Sequence, residues 1–156
     1  MGMFQDAIKT GNSTIIENMI RENPALANQA DERGFPPLVL AAYVGQASIC
    51  TLLIQKGANI NAQDAAGNTA LMGVAFKGAI DIARLLVEHG ADVNQQNKEG
   101  SSALSFATTF EKLDFAKFLL ENGANLHLED KQGNSPIKIA QAKKSSDLLA
   151  LFKSYQ

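Results

Sequence analysis

The chain has 156 residues, of which 46% are hydrophobic and 19% are charged, and its formal net charge is −2. This length and composition are typical of one soluble domain with a sizeable core. The small net charge gives no sign of a nucleic-acid or membrane partner, and no apolar run approaches the ~20 residues of a membrane span. The one cysteine, Cys50, cannot form an internal disulfide, and no leader pattern opens the chain. We therefore expect a cytoplasmic protein that binds neither nucleic acid nor a membrane.

The sequence repeats with a period of 33 residues. The glycine of a Gly-Ala pair recurs at Gly57, Gly90 and Gly123. Three further columns keep the same step: Gly34, Gly67, Gly100 and Gly133; Leu38, Leu71, Leu104 and Ile137; and Leu53, Leu86, Leu119 and Phe152. Independent columns in one register indicate an internal repeat. Because a unit of this size cannot bury its apolar face alone, the units are expected to stack.

The first unit, residues 1–30, is predicted to be a degenerate N-terminal cap, because residues 4–28 carry the apolar pattern without a turn. Its Pro24 aligns with Gly57. Proline cannot take the left-handed conformation, so the helix before it must end differently. The rest of the chain is predicted to form full repeats at residues 31–63, 64–96 and 97–129 and a C-terminal capping repeat at residues 130–156.

Each repeat opens with a four-residue turn, predicted at residues 31–34, 64–67, 97–100 and 130–133. The Asp or Asn at the first position bonds the backbone, and the Gly at the fourth takes a positive φ. A short helix follows, with Thr69, Ser102 and Ser135 as N-caps. Pro37 and Pro136 suit the first helical position, where a missing N–H costs nothing.

A second helix in each repeat carries apolar residues at spacings of three and four. They are Ile49, Leu52 and Leu53; Ile82, Leu85 and Leu86; and Phe115, Phe118 and Leu119. A glycine ends each of these helices as a left-handed residue: Gly57, Gly90 and Gly123. Between the two helices of the third repeat, Glu111 stands where the other repeats have Gly45 and Gly78. The loop at residues 108–112 is therefore predicted to be longer-helical or reshaped.

This pattern resembles the ankyrin repeat over essentially the whole chain. The family's turn and first-helix motif, D-x-x-G-x-T-P-L-H-x-A, is matched by DERGFPPLVLAA, DAAGNTALMGVA, NKEGSSALSFAT and DKQGNSPIKIAQ. Its second-helix end, L-L-x-x-G-A-D-x-N, is matched by LLIQKGANIN, LLVEHGADVN and FLLENGANLH. The resemblance implies an all-α ankyrin-repeat solenoid of stacked helix–loop–helix units with projecting β-turns. The family's His is replaced by Val39, Met72, Ser105 and Lys138, so the local hydrogen bonding must differ.

No residue pattern is typical of catalysis or metal binding. His89 and His127 lie about one repeat apart, too distant to share a metal ion without further ligands. Cys50 aligns with Ala83 and Ala116, so a buried, inert thiol is expected, with a redox sensor as the alternative. The turn aspartates each serve their own turn. We therefore expect a protein that is not an enzyme and that uses no metal and no cofactor.

The resemblance implies a binding face made by the turns and by the ends of the first helices. Its fifteen positions are Glu32, Arg33, Phe35, Tyr43, Val44, Ala65, Ala66, Asn68, Phe76, Lys77, Lys98, Glu99, Ser101, Thr109 and Phe110. Four of them are aromatic, although only 6% of the chain is, and Val39 and Met72 are expected alongside. Exposed aromatics on such a scaffold indicate a protein contact patch. The alternative is that the four rings pack inward.

We expect a non-catalytic adaptor that binds another protein on its concave face. The predicted contact residues are Glu32, Arg33, Phe35, Tyr43, Phe76, Lys77, Lys98, Glu99, Thr109 and Phe110. Two alternatives stay open. The same face could block one enzyme, as in a regulatory inhibitor or immunity-type protein. The chain, expected to be a monomer, could also form a weak dimer through the aromatic patch.

Overall fold

The computed structural model describes residues 2–156, and over that range it is all-helical, with ten α-helices, one 3-10 helix and no strand. In chain order the α-helices are α1 (Met3–Thr10), α2 (Ser13–Glu22), α3 (Pro37–Tyr43), α4 (Ala47–Gln55), α5 (Ala70–Lys77), α6 (Ile80–Glu88), α7 (Ala103–Thr109), α8 (Leu113–Glu121), α9 (Pro136–Lys143) and α10 (Ser146–Lys153). They follow one another as helix pairs. The all-α solenoid predicted from the sequence is confirmed.

The helices form two rows. The inner helices α1, α3, α5, α7 and α9 pack side by side, and α2, α4, α6, α8 and α10 form the outer row. Small residues let the inner helices approach closely, and Ala41, Ala75, Ala107 and Ala140 are fully buried. Adjacent inner helices pack more closely than adjacent outer helices. The stack therefore curves, with the inner helices on its concave side.

One hydrophobic core runs along the whole stack. Its repeated members, all at most 2% exposed, are Leu38, Leu71 and Leu104 from the inner helices and Leu53, Leu86 and Leu119 from the outer helices. Burying each such side chain contributes about 1.5–3 kcal/mol relative to leaving it in water. Each unit provides part of the apolar surface that covers its neighbour.

The four turns form as predicted. In the first, Oδ1 of Asp31 accepts the N–H of Arg33 at 2.9 Å and the N–H of Phe35 at 3.0 Å. The fourth residue, Gly34, has a φ of 87°. The same pair of bonds recurs in the other turns, around Asp64, Asn97 and Asp130.

The predicted helix ends are also confirmed. The hydroxyl oxygens of Thr69, Ser102 and Ser135 accept a backbone N–H three residues further on, at 3.3, 3.2 and 3.3 Å. The glycines after the outer helices, Gly57, Gly90 and Gly123, have φ values of 96°, 93° and 93°. The helix before Pro24 ends differently, as predicted: α2 is followed by the 3-10 helix over Pro24–Asn28.

The loop between α7 and α8 keeps the shape of its counterparts, so the prediction that it is longer-helical or reshaped is wrong. α7 ends in step with α3, and Glu111 adopts a φ of 54° where Gly45 and Gly78 have 81° and 76°. A left-handed conformation costs a non-glycine residue about 1–2 kcal/mol. Here the packing of the two helices outweighs that local cost. Lys144 does the same in the next loop, with a φ of 55°.

Side-chain amides join neighbouring units. Nδ2 of Asn28 donates to the carbonyl of Gly57 at 3.0 Å, and its Oδ1 accepts a backbone N–H from the same unit at 2.7 Å. Asn94 makes the same pair of bonds to the unit that follows it. Nε2 of Gln63 and of Gln96 each donates to the glycine carbonyl of the turn that directly follows it and to a carbonyl 33 residues further on. These bonds fix the angle at which one unit sits on the next.

Ser105 and Lys138, which stand at the family's histidine position, make local polar contacts. In the third repeat the hydroxyl oxygens of Ser105 and Ser102 lie 3.2 Å apart. In the last unit Nζ of Lys138 donates to the carbonyl of Gly133 at 3.1 Å and pairs with Glu129 at 2.6 Å. Each of these polar contacts stays within its own unit or reaches back to the residue before its turn.

Candidate protein-binding face

Three aromatic side chains stand at the C-terminal ends of inner helices. Tyr43 ends α3, Phe76 lies in the last turn of α5 and Phe110 follows α7, and their exposed fractions are 48%, 42% and 43%. Phe76 and Phe110 meet edge to face, with centroids 4.7 Å apart. The alternative in which these rings pack inward is therefore wrong for all three. Phe35 differs, because it is half-buried and packs against the core.

Two cations lie over the other two rings. Nζ of Lys77 is 4.4 Å from the ring centroid of Tyr43, and the guanidinium carbon of Arg33 is 5.1 Å from that of Phe35. Cation–π contacts contribute about 0.5–1 kcal/mol at exposed sites. These contacts therefore hold the side chains in place more than they stabilise the fold.

The aromatic side chains surround a concave cavity of about 590 Å³. It lies between the turns and the inner helices, and its size is within the ~300–1,000 Å³ of ordinary ligand pockets. Five of the predicted contact residues line it together: Arg33, Phe35, Tyr43, Phe76 and Phe110. Val39 and Met72, expected alongside, are buried and form part of its lining.

The polar groups that line the cavity serve the fold. Oδ1 of Asp64 accepts two nearby backbone N–H groups, from Ala66 at 2.9 Å and from Asn68 at 2.8 Å. The hydroxyl of Thr69 caps α5. These two groups are already bonded, and the rest of the lining is mainly apolar, with cations at the edge of the cavity.

The lining residues that sequence reasoning missed include Gly73 on α5 and Phe106 on α7. They stand in one column with Leu40, at successive steps of 33 residues. This column belongs neither to the core pattern nor to the binding positions that the resemblance implies. The sequence carries one signal for this part of the site. Within this column a glycine stands between two large residues, which leaves a gap.

Five predicted contact residues are exposed but do not line the cavity: Glu32, Lys77, Lys98, Glu99 and Thr109. The third turn instead uses its backbone to join its neighbours. The N–H of Lys98 donates to the carbonyl of Ala66 at 3.1 Å, and the carbonyl of Glu99 accepts the N–H of Lys131 at 3.0 Å. The side chains of Lys98 and Glu99 are exposed.

Asp31 supports Arg33 from within the first turn. Burial opposes ionisation of its carboxyl, but the N–H groups of Phe35 and Arg33 and the Arg33 guanidinium, 3.6 Å away, together outweigh burial. The pKa of Asp31 therefore lies below its ordinary value of 3.8. The ionised carboxylate holds Arg33 beside the cavity.

The two histidines and the cysteine differ in their surroundings. Nδ1 of His89 lies 2.8 Å from the carbonyl oxygen of Leu85, and His127 is exposed. Cys50 is fully buried, and burial raises the pKa of its thiol to about 12. Over residues 2–156 no group of three or more His, Cys, Asp or Glu side chains is placed to hold a metal ion. No helix in the same range is long and apolar enough to cross a bilayer.

Comparison with known proteins identifies the family. The model described as ankyrin repeats (3 copies) matches residues 4–97, and the one described as ankyrin repeats (many copies) matches residues 86–140. The chain therefore belongs to the ankyrin repeat family, and the resemblance is confirmed. Repeats of this family are generally protein–protein interaction modules, and proteins built from them are typically non-catalytic.

Two curated relatives share part of the repeat region. Alpha-latrotoxin-Lh1a of Latrodectus hasselti is 40% identical over 63 residues, and alpha-latrotoxin-Lt1a of Latrodectus tredecimguttatus is 39% identical over 62 residues. Each match covers 38% of this chain and 4% of the relative. Because the chain spans so small a part of these proteins, the likeness concerns the repeats alone.

Proposed function

We propose that this chain is a non-catalytic adaptor that binds another protein on its concave face. The observation that carries the proposal is the exposure of Tyr43, Phe76 and Phe110 around one apolar cavity. Contiguous exposed apolar surface marks contact sites, and aromatic side chains dominate binding energy at the centres of interfaces. In this proposal the three rings are the anchors, with Phe35 and Thr109 beside them. The polar rim is formed by Glu32, Arg33, Lys77, Lys98 and Glu99.

The rigidity of the face supports the proposal. The inner helices pack closely, and the second, third and fourth turns are joined by backbone hydrogen bonds. The rings of Phe76 and Phe110 already contact each other, and Tyr43 lies under Lys77. A face that is ordered before binding loses little conformational entropy on association.

The experiment that tests the proposal compares two double variants as baits in affinity purification from the native cell. Tyr43→Ser with Phe76→Ser removes two anchors. Tyr155→Ser with Leu113→Ser is the matched control, because these residues are 39% and 37% exposed but lie outside the cavity. Both variants are expected to keep Tm within about 4 °C of the parent, since exposed side chains contribute little to stability.

We expect the first variant to recover about tenfold less of the specific partner than the parent, and the control to recover the parental amount. Equal recovery by both variants would contradict the proposal. A collapse of Tm in the first variant alone would show that the rings belong to the core. Assaying the recovered partner with and without this chain distinguishes an adaptor from an inhibitor.

A cytoplasmic location is part of the proposal. It is supported by the cysteine content, because the one thiol in the chain cannot form an internal disulfide. Fractionation of the native cell with an antibody to the chain tests it.

A further inference from the structure

Neither the backbone conformation nor close contact with neighbouring atoms requires a glycine at position 73. It lies inside α5 and does not have a positive φ, so its conformation is open to any residue. A Cβ added there meets one atom within 4 Å, Cδ1 of Tyr43 at 3.9 Å, which is an ordinary contact. A glycine in a helix interior is destabilising relative to alanine. The open space above Gly73 is therefore what distinguishes this position.

The neighbouring repeats fill the same position with large side chains. The column that contains Gly73 has Leu40 in the repeat before it and Phe106 in the repeat after it, and all three residues line the cavity. The missing side chain leaves a gap between Leu40 and Phe106 in the row of inner helices. Tyr43 and Phe76 stand beside that gap.

Cations outnumber acids at the edge of the cavity. Lys9 and Arg33 line it, and Lys77 lies over the ring of Tyr43. The one acid in the lining, Asp64, accepts two nearby backbone N–H groups. A positive edge on a chain whose net charge is −2 complements a negatively charged partner.

We propose that the gap over Gly73 is the anchor pocket of the concave face, and that it takes a large apolar side chain from a partner segment with acidic residues on both sides. The inference rests on the proposed function, because it names the kind of segment that this face binds. The apolar side chain fills the place of the missing residue between Leu40 and Phe106. The flanking carboxylates pair with Arg33 and Lys77, which lie over neighbouring rings.

The test uses three synthetic nonapeptides, acetylated and amidated at their ends, and the full-length chain labelled with ¹⁵N. The first has a central phenylalanine between aspartates, the second replaces the phenylalanine with alanine, and the third replaces the aspartates with lysines. Binding is followed by the amide signals of Gly73, Phe76 and Phe106. We expect the first peptide to shift these signals and to bind about tenfold more tightly than either of the others.

Two substitutions at one position provide matched controls. Gly73→Leu places in the gap the side chain that the preceding repeat has there, and it should weaken binding of the first peptide about tenfold or more. Gly73→Ala adds only a methyl group and should change binding by about threefold or less. Both substitutions should keep or raise Tm, because they remove a glycine from a helix. If either substitution lowers Tm sharply, the space over Gly73 is not open and the inference is wrong.

The inference is also overturned if Gly73→Leu binds the first peptide as the parent does, if either control peptide binds as tightly as the first, if the shifts are confined to another surface, or if no peptide binds. A further result would also overturn it, namely that the signals of Gly73 and Phe76 move with protein concentration alone, because the pocket would then take a second copy of the chain. Recovery of the native partner distinguishes failure of this inference from failure of the proposed function. If Gly73→Leu still recovers that partner while Tyr43→Ser with Phe76→Ser loses it, the inference about the pocket is wrong but the proposed binding face is supported. If both variants recover the partner in the parental amount, the proposed binding face is wrong as well.

Discussion

The rings of Phe76 and Phe110 meet edge to face at a centroid distance of 4.7 Å, with their planes 86° apart. Phe76 belongs to α5, and Phe110 directly follows α7. Both rings stay more than two-fifths exposed. The pair therefore connects two repeats at the surface rather than in the core.

A double-mutant cycle measures this connection. Phe76→Ala, Phe110→Ala and the double variant should show a coupling free energy of about 0.5–1.5 kcal/mol in urea unfolding. Phe115→Ala, which removes a fully buried ring, should instead cost about 3–5 kcal/mol. Additive effects of the two surface substitutions would mean that the rings do not meet in solution.

Replacing Glu111 with glycine should stabilise the chain. Glu111 has a φ of 54°, in the region where Gly45 and Gly78 stand in the equivalent loops. Removing the side chain relieves about 1 kcal/mol of backbone strain, which exceeds the added entropy of glycine in the unfolded chain. Urea unfolding measures the gain. Glu111→Ala should show no such gain, because alanine keeps the strain, and a loss of stability in Glu111→Gly would contradict the left-handed conformation.

The close approach of neighbouring turns can be separated from the cost of a positive φ. Gly67 and Gly90 have φ values of 84° and 93°. A Cβ at Gly67 lies 2.7 Å from the backbone nitrogen of Lys98, whereas one at Gly90 has no atom within 4 Å. Gly67→Ala should therefore cost about 1–3 kcal/mol more than Gly90→Ala. Equal losses in chemical unfolding would show that the turns do not pack as tightly as their backbone bonds indicate.

We expect the Cys50 thiol to be protected from chemical labelling. We also expect it to lower the free energy of unfolding at high pH. The pKa of this thiol is about 12 in the folded chain and about 8.5 when unfolded, so the unfolded chain releases the proton first. Its contribution to stability is complete below the unfolded pKa and is lost as pH rises toward 12. Cys50→Ala, which copies the residue of the second and third repeats at this position, should lack this part of the pH dependence.

Iodoacetamide at pH 8 should label the Cys50 thiol of the native chain about 100-fold more slowly than that of the chain unfolded in urea. Equal labelling rates would contradict the burial of the thiol.

The fold could be predicted from the sequence because its determinants repeat. Asp31, Asp64, Asn97 and Asp130 hold their turns through the same two bonds, and each bond joins residues at most four positions apart in the sequence. The loop at Glu111 could not be predicted from local preference. Glutamate disfavours a positive φ, but the helices on either side pack in the register of the other repeats and impose that conformation.

The candidate site was predictable only in part. The exposure of Tyr43, Phe76 and Phe110 follows from their places at the ends of the inner helices, which the family pattern indicates. The cavity depends on Gly73, whose effect is the absence of a side chain between Leu40 and Phe106. A residue that acts by leaving space has no apolar or charged pattern to reveal it, and the space is visible only when its neighbours are in place.

Site-specific photo-crosslinking tests the central claim that the concave face binds a protein. In one variant a benzophenone amino acid replaces Phe76, and in the other it replaces Lys117, which is exposed on the outer helix α8. After irradiation in the native cell, we predict a covalent adduct of defined mass from position 76 and none from position 117. Adducts from position 117 alone, or in equal yield from both positions, would contradict the account.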